Sequence, residues 1–237
     1  MSSITVPSRS GGAQRRPEDA PGRRDQIVAA AAAVLGRQGY GGTSLKDVAR
    51  EAGVAVGLLH YYFESKEQLL LEVVVDLETE LTETWQGAVR GVEDPLERVV
   101  RALDRTAERC VERPDFWRLL FDLYVLGMGS EAVRTRLEAM RGRRIDEIEA
   151  EVRQVLGRLP SYAVIPPRDL AEAIAGAIEG IAFTGLVEGR DVRRAYSALK
   201  AMLMSLVVTA YVAAGKQPPI GRLSELLHRG APAPRPG

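Results

Sequence analysis

Residues 39–70 read GYGGTSLKDVAREAGVAVGLLHYYFESKEQLL, and the two short helices predicted within this stretch decide the fold. The first helix, residues 44–52, has its apolar side chains at positions i, i+3, i+4 and i+7, which form one narrow stripe facing a core. Gly53 follows directly, and a glycine can adopt the left-handed conformation that ends a helix. A second helix, residues 56–62, restarts within three or four residues at a steep angle, so the stretch predicts a helix-turn-helix. The stripe consists of Leu45, Val48, Ala49 and Ala52.

The second helix is expected to have one buried and one exposed face. Leu59 and Phe63, four residues apart, fit a small core with apolar residues of a preceding helix at 23–38. Three adjacent ring residues follow Leu59, and they cannot all be buried because successive helical residues are turned by about 100°. Their O–H and N–H groups suit phosphates and base edges. The alternative is that some of these rings pack on the next helix. The three are His60, Tyr61 and Tyr62.

Several short motifs occur here in a fixed order. They are Gly39-Tyr40, Thr43-Ser44, Val48-Ala49, Ala52-Gly53-Val54, Gly57, Leu59, Tyr62-Phe63, Ser65-Lys66-Glu67 and Leu69-Leu70. Together they resemble the N-terminal DNA-binding domain of the TetR family of bacterial transcriptional regulators. This sequence departs from the family pattern at Ala55, Val56 and His60, where Ser or Thr, a polar residue and Tyr are common. Val56 offers only apolar contact, for instance to a thymine methyl group.

The resemblance implies a set of DNA-contacting residues. Thr43 or Ser44 would cap the first helix of the motif and bind phosphate, and Lys46 would add charge attraction. Lys66 would bring its ammonium to the positive end of the next helix, which suits a phosphate, although an exposed lysine at a helix start is the alternative. The residues implied to enter the major groove are Ala55, Val56, Gly57 and Tyr61, and those implied to hold the DNA backbone are His60 and Tyr62.

Helical periodicity continues through the rest of the chain, without a convincing run of strict apolar and polar alternation. We therefore predict an all-α fold. The family resemblance implies that it has an N-terminal three-helix helix-turn-helix domain followed by a larger helical bundle for effector binding and dimerisation. Helix-start signals are expected at Ser65, Asp94, Asp115, Ser130 and Asp169. The nine predicted helices lie near 23–38, 44–52, 56–62, 66–91, 95–113, 115–127, 130–158, 168–189 and 193–214.

The chain is predicted to consist of four parts. Residues 1–22 and 216–237 are predicted to be tails, the first of them disordered because it has too few apolar residues to offset its ordering entropy. The predicted helices change from short to long near residue 65, which marks a domain boundary. The family resemblance implies that residues 23–65 form the DNA-binding domain and that residues 66–215 form the ligand-binding and dimerisation domain.

The family resemblance implies that the last two long helices, 168–189 and 193–214, form a homodimer. Both are apolar on more than one side, and a four-helix dimer interface would cover each side. A wholly intramolecular core is the alternative.

The family also binds inducers within its bundle. Residues 113–126 resemble a helix of the betaine-pathway repressor subgroup, and an apolar or cationic-amphipathic effector is the expectation. Aromatic residues at helical spacing are also typical of an ordinary packed core, which is the alternative. The predicted ligand-binding residues are Trp85, Phe116, Trp117, Phe121, Tyr124, Met128 and Phe183.

Composition argues against other classes of protein. The chain has 32 basic and 32 acidic residues, one cysteine and two histidines, which give no disulfide framework and no His/Cys metal cage. No catalytic set, cofactor loop or metal site emerges, and the charged residues between 143 and 153 are typical of a solvated, ion-paired face. The charge-free apolar run 201–215 is too short to cross a bilayer, so we expect no membrane partner.

These patterns predict a cytoplasmic, nucleoid-associated bacterial regulator. In the favoured form it is a homodimeric repressor that binds a palindromic operator and is released by a small-molecule effector. An activator or an effector-independent repressor of the same architecture remains open. A helical small-molecule-binding protein or an enzyme, neither of which would bind DNA, also remains open.

Overall fold

The computed structural model describes residues 22–157 and 165–228, and these two ranges contain ten α-helices and no strand. The all-α prediction is confirmed, and the nine predicted helices are present with ends that differ by a few residues. The predicted N-terminal tail lies, apart from Gly22, outside the described residues. The helices are α1 (Arg23–Gly42), α2 (Leu45–Glu51), α3 (Val56–Tyr62), α4 (Lys66–Val89), α5 (Pro95–Glu112), α6 (Pro114–Gly127), α7 (Glu131–Leu156), α8 (Pro167–Glu188), α9 (Arg193–Ala213) and α10 (Ile220–His228).

Helix α10 corrects the sequence prediction, because it lies inside the segment expected to be a C-terminal tail. Leu223 and Leu226 are buried against α5 and α9. Arg222 donates to the Asp94 carboxylate at the start of α5, with 2.9 Å between Nε and Oδ2. This nine-residue helix buries only two leucines fully and follows two prolines, so its local composition resembled that of a tail.

Glycines shape the helix-turn-helix at two positions. Gly39 has φ +70° and kinks α1 near its end, where the predicted first helix was expected to stop. Gly53 has φ +63° and ends α2, as the motif predicts. The two bends bring α1, α2 and α3 around a core that includes fully buried Ile27, Leu59 and Phe63.

Three of the five expected helix starts are confirmed. The side chains of Ser65, Asp94 and Ser130 accept hydrogen bonds from backbone N–H groups in the first turns of α4, α5 and α7. Asp115 and Asp169 instead lie inside the first turns of α6 and α8, one or two residues after a proline.

The helix-turn-helix packs on the bundle through one continuous apolar core. Helix α1 contacts both α4 and α6, and buried residues of all three helices belong to one cluster. Asp115 on α6 packs so closely on α1 that a Cβ atom added at Gly36 would lie 3.1 Å from its carbonyl oxygen. Two helices of the bundle therefore support the N-terminal motif directly.

Helices α8 and α9 leave an apolar face uncovered. By length and composition alone both helices are apolar enough to cross a membrane, whereas the charge-free run 201–215 by itself is too short. Each nevertheless carries charge within the bundle. Glu179 of α8 accepts a hydrogen bond from Tyr124, and the buried Lys200 of α9 pairs with Asp104 of α5. The largest exposed apolar side chains of the pair are Phe183, Val187, Met202 and Val212.

Candidate nucleic-acid interface and effector cavity

Helix α3 has the two faces that the sequence predicted. Leu59 is fully buried within the motif, whereas Ala55, Gly57 and His60 are exposed. Tyr61 is 70% exposed, the largest exposed fraction among the aromatic side chains of the described residues. Its ring stands edge to face against Tyr62, which is half-buried, with 5.2 Å between the centroids. Val56 is also half-buried. The outer surface of α3 therefore has small side chains at the start of the helix and aromatic side chains at its end.

The N-terminus of α2 is held by a reciprocal capping box. The Ser44 side chain accepts from the backbone N–H of Asp47, and the Asp47 carboxylate accepts from the backbone N–H and the hydroxyl of Ser44. These hydrogen bonds, with a smaller contribution from Arg50, lower the pKa of Asp47 below its usual value. Ser44 and Lys46 are exposed beside this helix start, where a phosphate could approach the free N–H groups of the first turn.

Thr43 and Lys66, two residues expected to bind phosphate, make hydrogen bonds within the protein in this structure. The Thr43 side chain is buried, and its hydroxyl donates to the Gly39 carbonyl at 2.7 Å. The Lys66 ammonium donates to the carbonyl oxygens of Tyr40 and Thr43 at 2.7 and 2.6 Å, and it lies 3.8 Å from the Tyr40 ring centroid. Burial lowers the pKa of this ammonium. Both side chains therefore donate to carbonyl groups at the C-terminal end of α1, beside the kink at Gly39.

A cavity of about 60 Å³ lies inside the bundle between α4, α5, α6, α7 and α8. Three of the residues predicted to bind a ligand, Trp85, Trp117 and Tyr124, line this cavity. A wider groove of about 340 Å³ adjoins it outside, sharing Tyr124, Arg141 and Glu179 with the cavity wall. Met128, 79% exposed, belongs to this outer groove and not to the cavity.

Three aromatic residues predicted to bind the ligand do not line the cavity. Phe116 is buried in the core, where its ring lies under the Arg109 guanidinium. Phe121 packs edge to face on Phe183, with 5.2 Å between ring centroids, and Phe183 is half-exposed on α8. The aromatic stripe on α6 therefore divides, with Trp117 and Tyr124 at the cavity and the other rings in the core or near the surface of α8.

Sequence reasoning missed the arginines of the cavity wall. Arg109 on α5 is 5% exposed, and its Nη1 donates to the Thr84 hydroxyl at 3.0 Å. Arg144 on α7 lies with its guanidinium carbon 4.7 Å from the centroid of the Trp85 ring and pairs with Glu147. A signal for Arg109 was present, because Ala102, Thr106 and Arg109 follow the i, i+4, i+7 spacing beside the apolar stripe of α5 and all three line the cavity.

The charged residues between 143 and 153 are ion-paired as predicted, but the face is not uniformly solvated. Arg153, whose side chain is 63% exposed, pairs with Glu149. Glu151 is 4% exposed and accepts two hydrogen bonds from the Arg98 Nε, at 2.9 and 3.1 Å. The Arg144 and Glu147 pair faces the cavity. Tertiary packing of α7 against α4, α5 and α8 covers part of a surface that its sequence presents as polar.

Two other groups bear on the chemistry of the bundle. The hydroxyl of Tyr124 donates to Glu179 at 3.1 Å, and burial together with the Glu179 charge raises the pKa of Tyr124 well above its usual value. Burial raises the pKa of the Cys110 thiol to about 11, so it stays protonated and unreactive at neutral pH. Within residues 22–157 and 165–228, no three His, Cys, Asp or Glu side chains come together as a metal site.

Comparison with known proteins places these features in context. Residues 27–73 match the family model described as bacterial regulatory proteins, tetR family. The HTH-type transcriptional regulator BetI of Agrobacterium fabrum is 32% identical over 164 residues, which cover 68% of this chain and 75% of that protein. The BetI regulator of Rhizobium meliloti is 33% identical over 175 residues, which cover 73% and 78% of the two chains.

Solved structures share the fold. A TetR-family transcriptional regulator from Rhodococcus sp. superposes with a TM-score of 0.66 at 23% identity, covering 76% of this chain and 96% of that one. A transcriptional regulator from Saccharomonospora viridis, solved in complex with choline, superposes with a TM-score of 0.68 at 20% identity, covering 76% and 94%.

Proposed function

Because this chain belongs to the TetR family of bacterial regulatory proteins, we propose that it is a cytoplasmic repressor that binds a palindromic operator as a homodimer and is released by a small molecule. Its relatives of similar length are HTH-type transcriptional regulators, not enzymes. The observation that carries the proposal is the exposed surface of α3, where small residues at the start permit close approach and Tyr61 projects into solvent.

The proposed DNA contacts follow from this surface. The major groove would receive the start of α3 and Tyr61, which offer apolar contact and one hydroxyl. The helix start at Ser44, with Lys46 beside it, would hold phosphates. Two copies related by a two-fold axis would place their α3 helices in successive major grooves about 34–36 Å apart. The proposed set consists of Ser44, Lys46, Ala55, Val56, Gly57, His60, Tyr61 and Tyr62.

A titration on the duplex upstream of the protein's own gene tests this function. We expect a shift specific for a palindromic sequence with a Kd of about 10⁻⁸ M or tighter, at least about 10³-fold stronger than for a scrambled duplex at the same salt. Equal affinity for the palindrome and the scrambled duplex would rule out the regulator. The effector-independent alternative predicts the same DNA binding with no release by any ligand.

The uncovered face of α8 and α9 is the proposed dimer interface. Gly180 on this face is exposed, and a side chain added there meets no atom within 4 Å in the single chain. We expect Gly180→Glu to fold normally but to weaken dimerisation by about tenfold or more, because it places two like charges in an apolar four-helix contact. Light scattering coupled to gel filtration, over a range of protein concentrations, measures the shift toward monomer.

Gly87→Glu is the matched control for the dimer experiment. Gly87 is also an exposed glycine in a long helix with open space around its Cβ position, but it lies on α4. This variant should keep the dimer. A Gly180→Glu protein that remains dimeric at all concentrations would contradict the assignment of the interface to α8.

Two helices offer a physical route from the cavity to the DNA-binding motif. Helix α4 carries Trp85 at the cavity and begins at Lys66, whose ammonium holds the end of α1. Helix α6 carries Trp117 at the cavity and packs on α1 beside Gly36. A ligand that shifts either helix would change the separation of the two α3 helices in the dimer. By linkage, DNA would weaken ligand binding by the same factor.

A further inference from the structure

We propose that the effector carries a carboxylate, which the cavity binds through N–H donors of Arg109, Trp117 and Arg141. The inference rests on the proposed function, which makes this cavity the effector site. The sequence led us to expect an apolar or a cationic-amphipathic effector, and the regulator from Saccharomonospora viridis was solved with choline. The proposed ligand class is opposite in charge to both of these cations.

The cavity wall holds buried donors without acceptors. Arg109 and Trp117 are 5% and 3% exposed, and the Arg109 Nε and the Trp117 Nε1 have no hydrogen-bond partner in the described part of the chain. The other two nitrogens of the Arg109 guanidinium are engaged, with Nη2 paired to Glu80 and Nη1 donating to Thr84. Arg141 adds a third, because its Nη1 is buried and equally without an acceptor there. A buried polar group without a partner is costly, so these three atoms favour a ligand that accepts hydrogen bonds.

In the part of the chain that the structure describes, the buried side-chain polar atoms that lack partners are all of one kind, hydrogen-bond donors. Every buried side-chain nitrogen or oxygen that lacks a hydrogen-bond partner within residues 22–157 and 165–228 is a nitrogen that donates. Two of the three cavity donors belong to guanidinium groups, of which Arg109 is paired with Glu80 and Arg141 has no ion pair among the described residues. An N–H of an arginine binds an anionic oxygen more strongly than a neutral one. A carboxylate supplies two such oxygens, whereas a quaternary ammonium group supplies none.

One aromatic face at the cavity, that of Trp85, already carries a cation. The Arg144 guanidinium carbon lies 4.7 Å from the centroid of this ring. A quaternary ammonium ligand would have to displace Arg144 to reach the face of Trp85. The carboxylates near the cavity are also engaged, since Glu147 pairs with Arg144 and Glu179 accepts from Tyr124.

Binding can be measured directly because the two tryptophans of the chain, Trp85 and Trp117, both line the cavity. The full-length protein, without DNA, is titrated with butyrate and benzoate, with their uncharged amides, and with choline at constant ionic strength. We expect at least one carboxylate to change the tryptophan emission saturably and to bind about tenfold or more tightly than its amide, as loss of a charge-assisted hydrogen bond implies. Comparison of butyrate with benzoate shows whether the cavity prefers an aliphatic or an aromatic group attached to the carboxylate.

Substitutions locate the carboxylate. Trp117→Phe removes one donor and keeps Trp85 as the reporter, and Arg141→Gln removes a charge whose Nη1 has no protein acceptor in the described ranges. Each should weaken carboxylate binding about fivefold or more, while leaving any amide binding nearly unchanged. Arg153→Gln, on the same helix as Arg141 but at an exposed side chain, is the control and should bind the carboxylate as the parent does. Neither test variant removes an ion-paired side chain, so both should fold.

Several outcomes would overturn the proposal. They are saturable binding of choline without binding of a carboxylate, equal affinity for a carboxylate and its amide, and no emission change with either carboxylate up to about 10 mM, well above the range of weak specific binding. The operator titration is a separate measurement. If the protein binds a carboxylate but no operator, the regulator proposal fails and the cavity assignment stands. If the protein binds the operator and is released by choline alone, the regulator proposal stands and the carboxylate proposal fails.

Discussion

Replacing Gly57 by glutamate should abolish specific operator binding while leaving the fold intact. Gly57 is the second residue of α3, it is exposed, and a side chain added there meets no atom within 4 Å. Glutamate has a higher helix propensity than glycine, and its negative charge suits the first turn of a helix. The variant should therefore be at least as stable as the parent. In the complex, each copy of α3 would bring a negative charge to the DNA. We expect a loss of affinity of about 100-fold or more.

Fluorescence anisotropy with a labelled operator measures this loss, and thermal unfolding monitors the fold. The matched control is Gly221→Glu, at the second residue of another short helix, α10, where the glycine is likewise exposed with open space around it. This control adds the same charge to the protein as a whole, so it separates a local effect from a change in net charge. If both variants bound the operator as tightly as the parent, α3 would not be the DNA-contacting helix.

The second large effect is expected at the ion pair between α5 and α7. Arg98→Met should lower the free energy of unfolding by about 3 kcal/mol or more, because it leaves the Glu151 carboxylate buried without its cation. The Glu151 side chain is 6% exposed, and its oxygens accept from the Arg98 Nε and Nη2. Denaturant unfolding followed by circular dichroism gives the free energy from the midpoint and slope.

A neighbouring arginine supplies the comparison. Arg101 on α5 pairs with Glu97 on the same helix, and its side chain is 52% exposed. Arg101→Met should therefore cost no more than about 0.5 kcal/mol. The double variant Arg98→Met with Glu151→Leu should recover most of the stability lost in the single variant, because it removes the uncompensated charge. Equal losses for Arg98→Met and Arg101→Met would show that burial of the pair has no energetic consequence.

Local signals were sufficient to predict the helix-turn-helix. The stripe on α2, the left-handed glycine at Gly53 and the buried pair Leu59 and Phe63 all act within about twenty residues, where spacing translates directly into geometry. The same holds for the caps at Ser65 and Ser130, whose partners lie three residues on. Local signals could not predict the internal hydrogen bonds of Lys66, because its acceptors are carbonyls 23 and 26 residues earlier in the chain.

The cavity was only partly predictable for a related reason. Aromatic spacing identified α6 but could not show which side of the helix faces the void, and that side depends on how five helices converge. Arg109 and Arg144 have the spacing of core-facing residues but the chemistry of surface residues. Only their burial in the folded bundle, against Thr84 and Trp85, distinguishes them from the exposed arginines of the same helices.

The apolar core that runs without interruption from α1 through α4 and α6 limits how this protein can be recombined with others. A chimera joined at the predicted domain boundary, after residue 65, would expose Ile27 and Phe63 to whatever helices the new partner provides. A functional fusion of the helix-turn-helix domain to another effector-binding domain would also need to include α4 and the first turns of α6. The unit that engineering, or gene fusion, can exchange is thus larger than the segment that touches DNA.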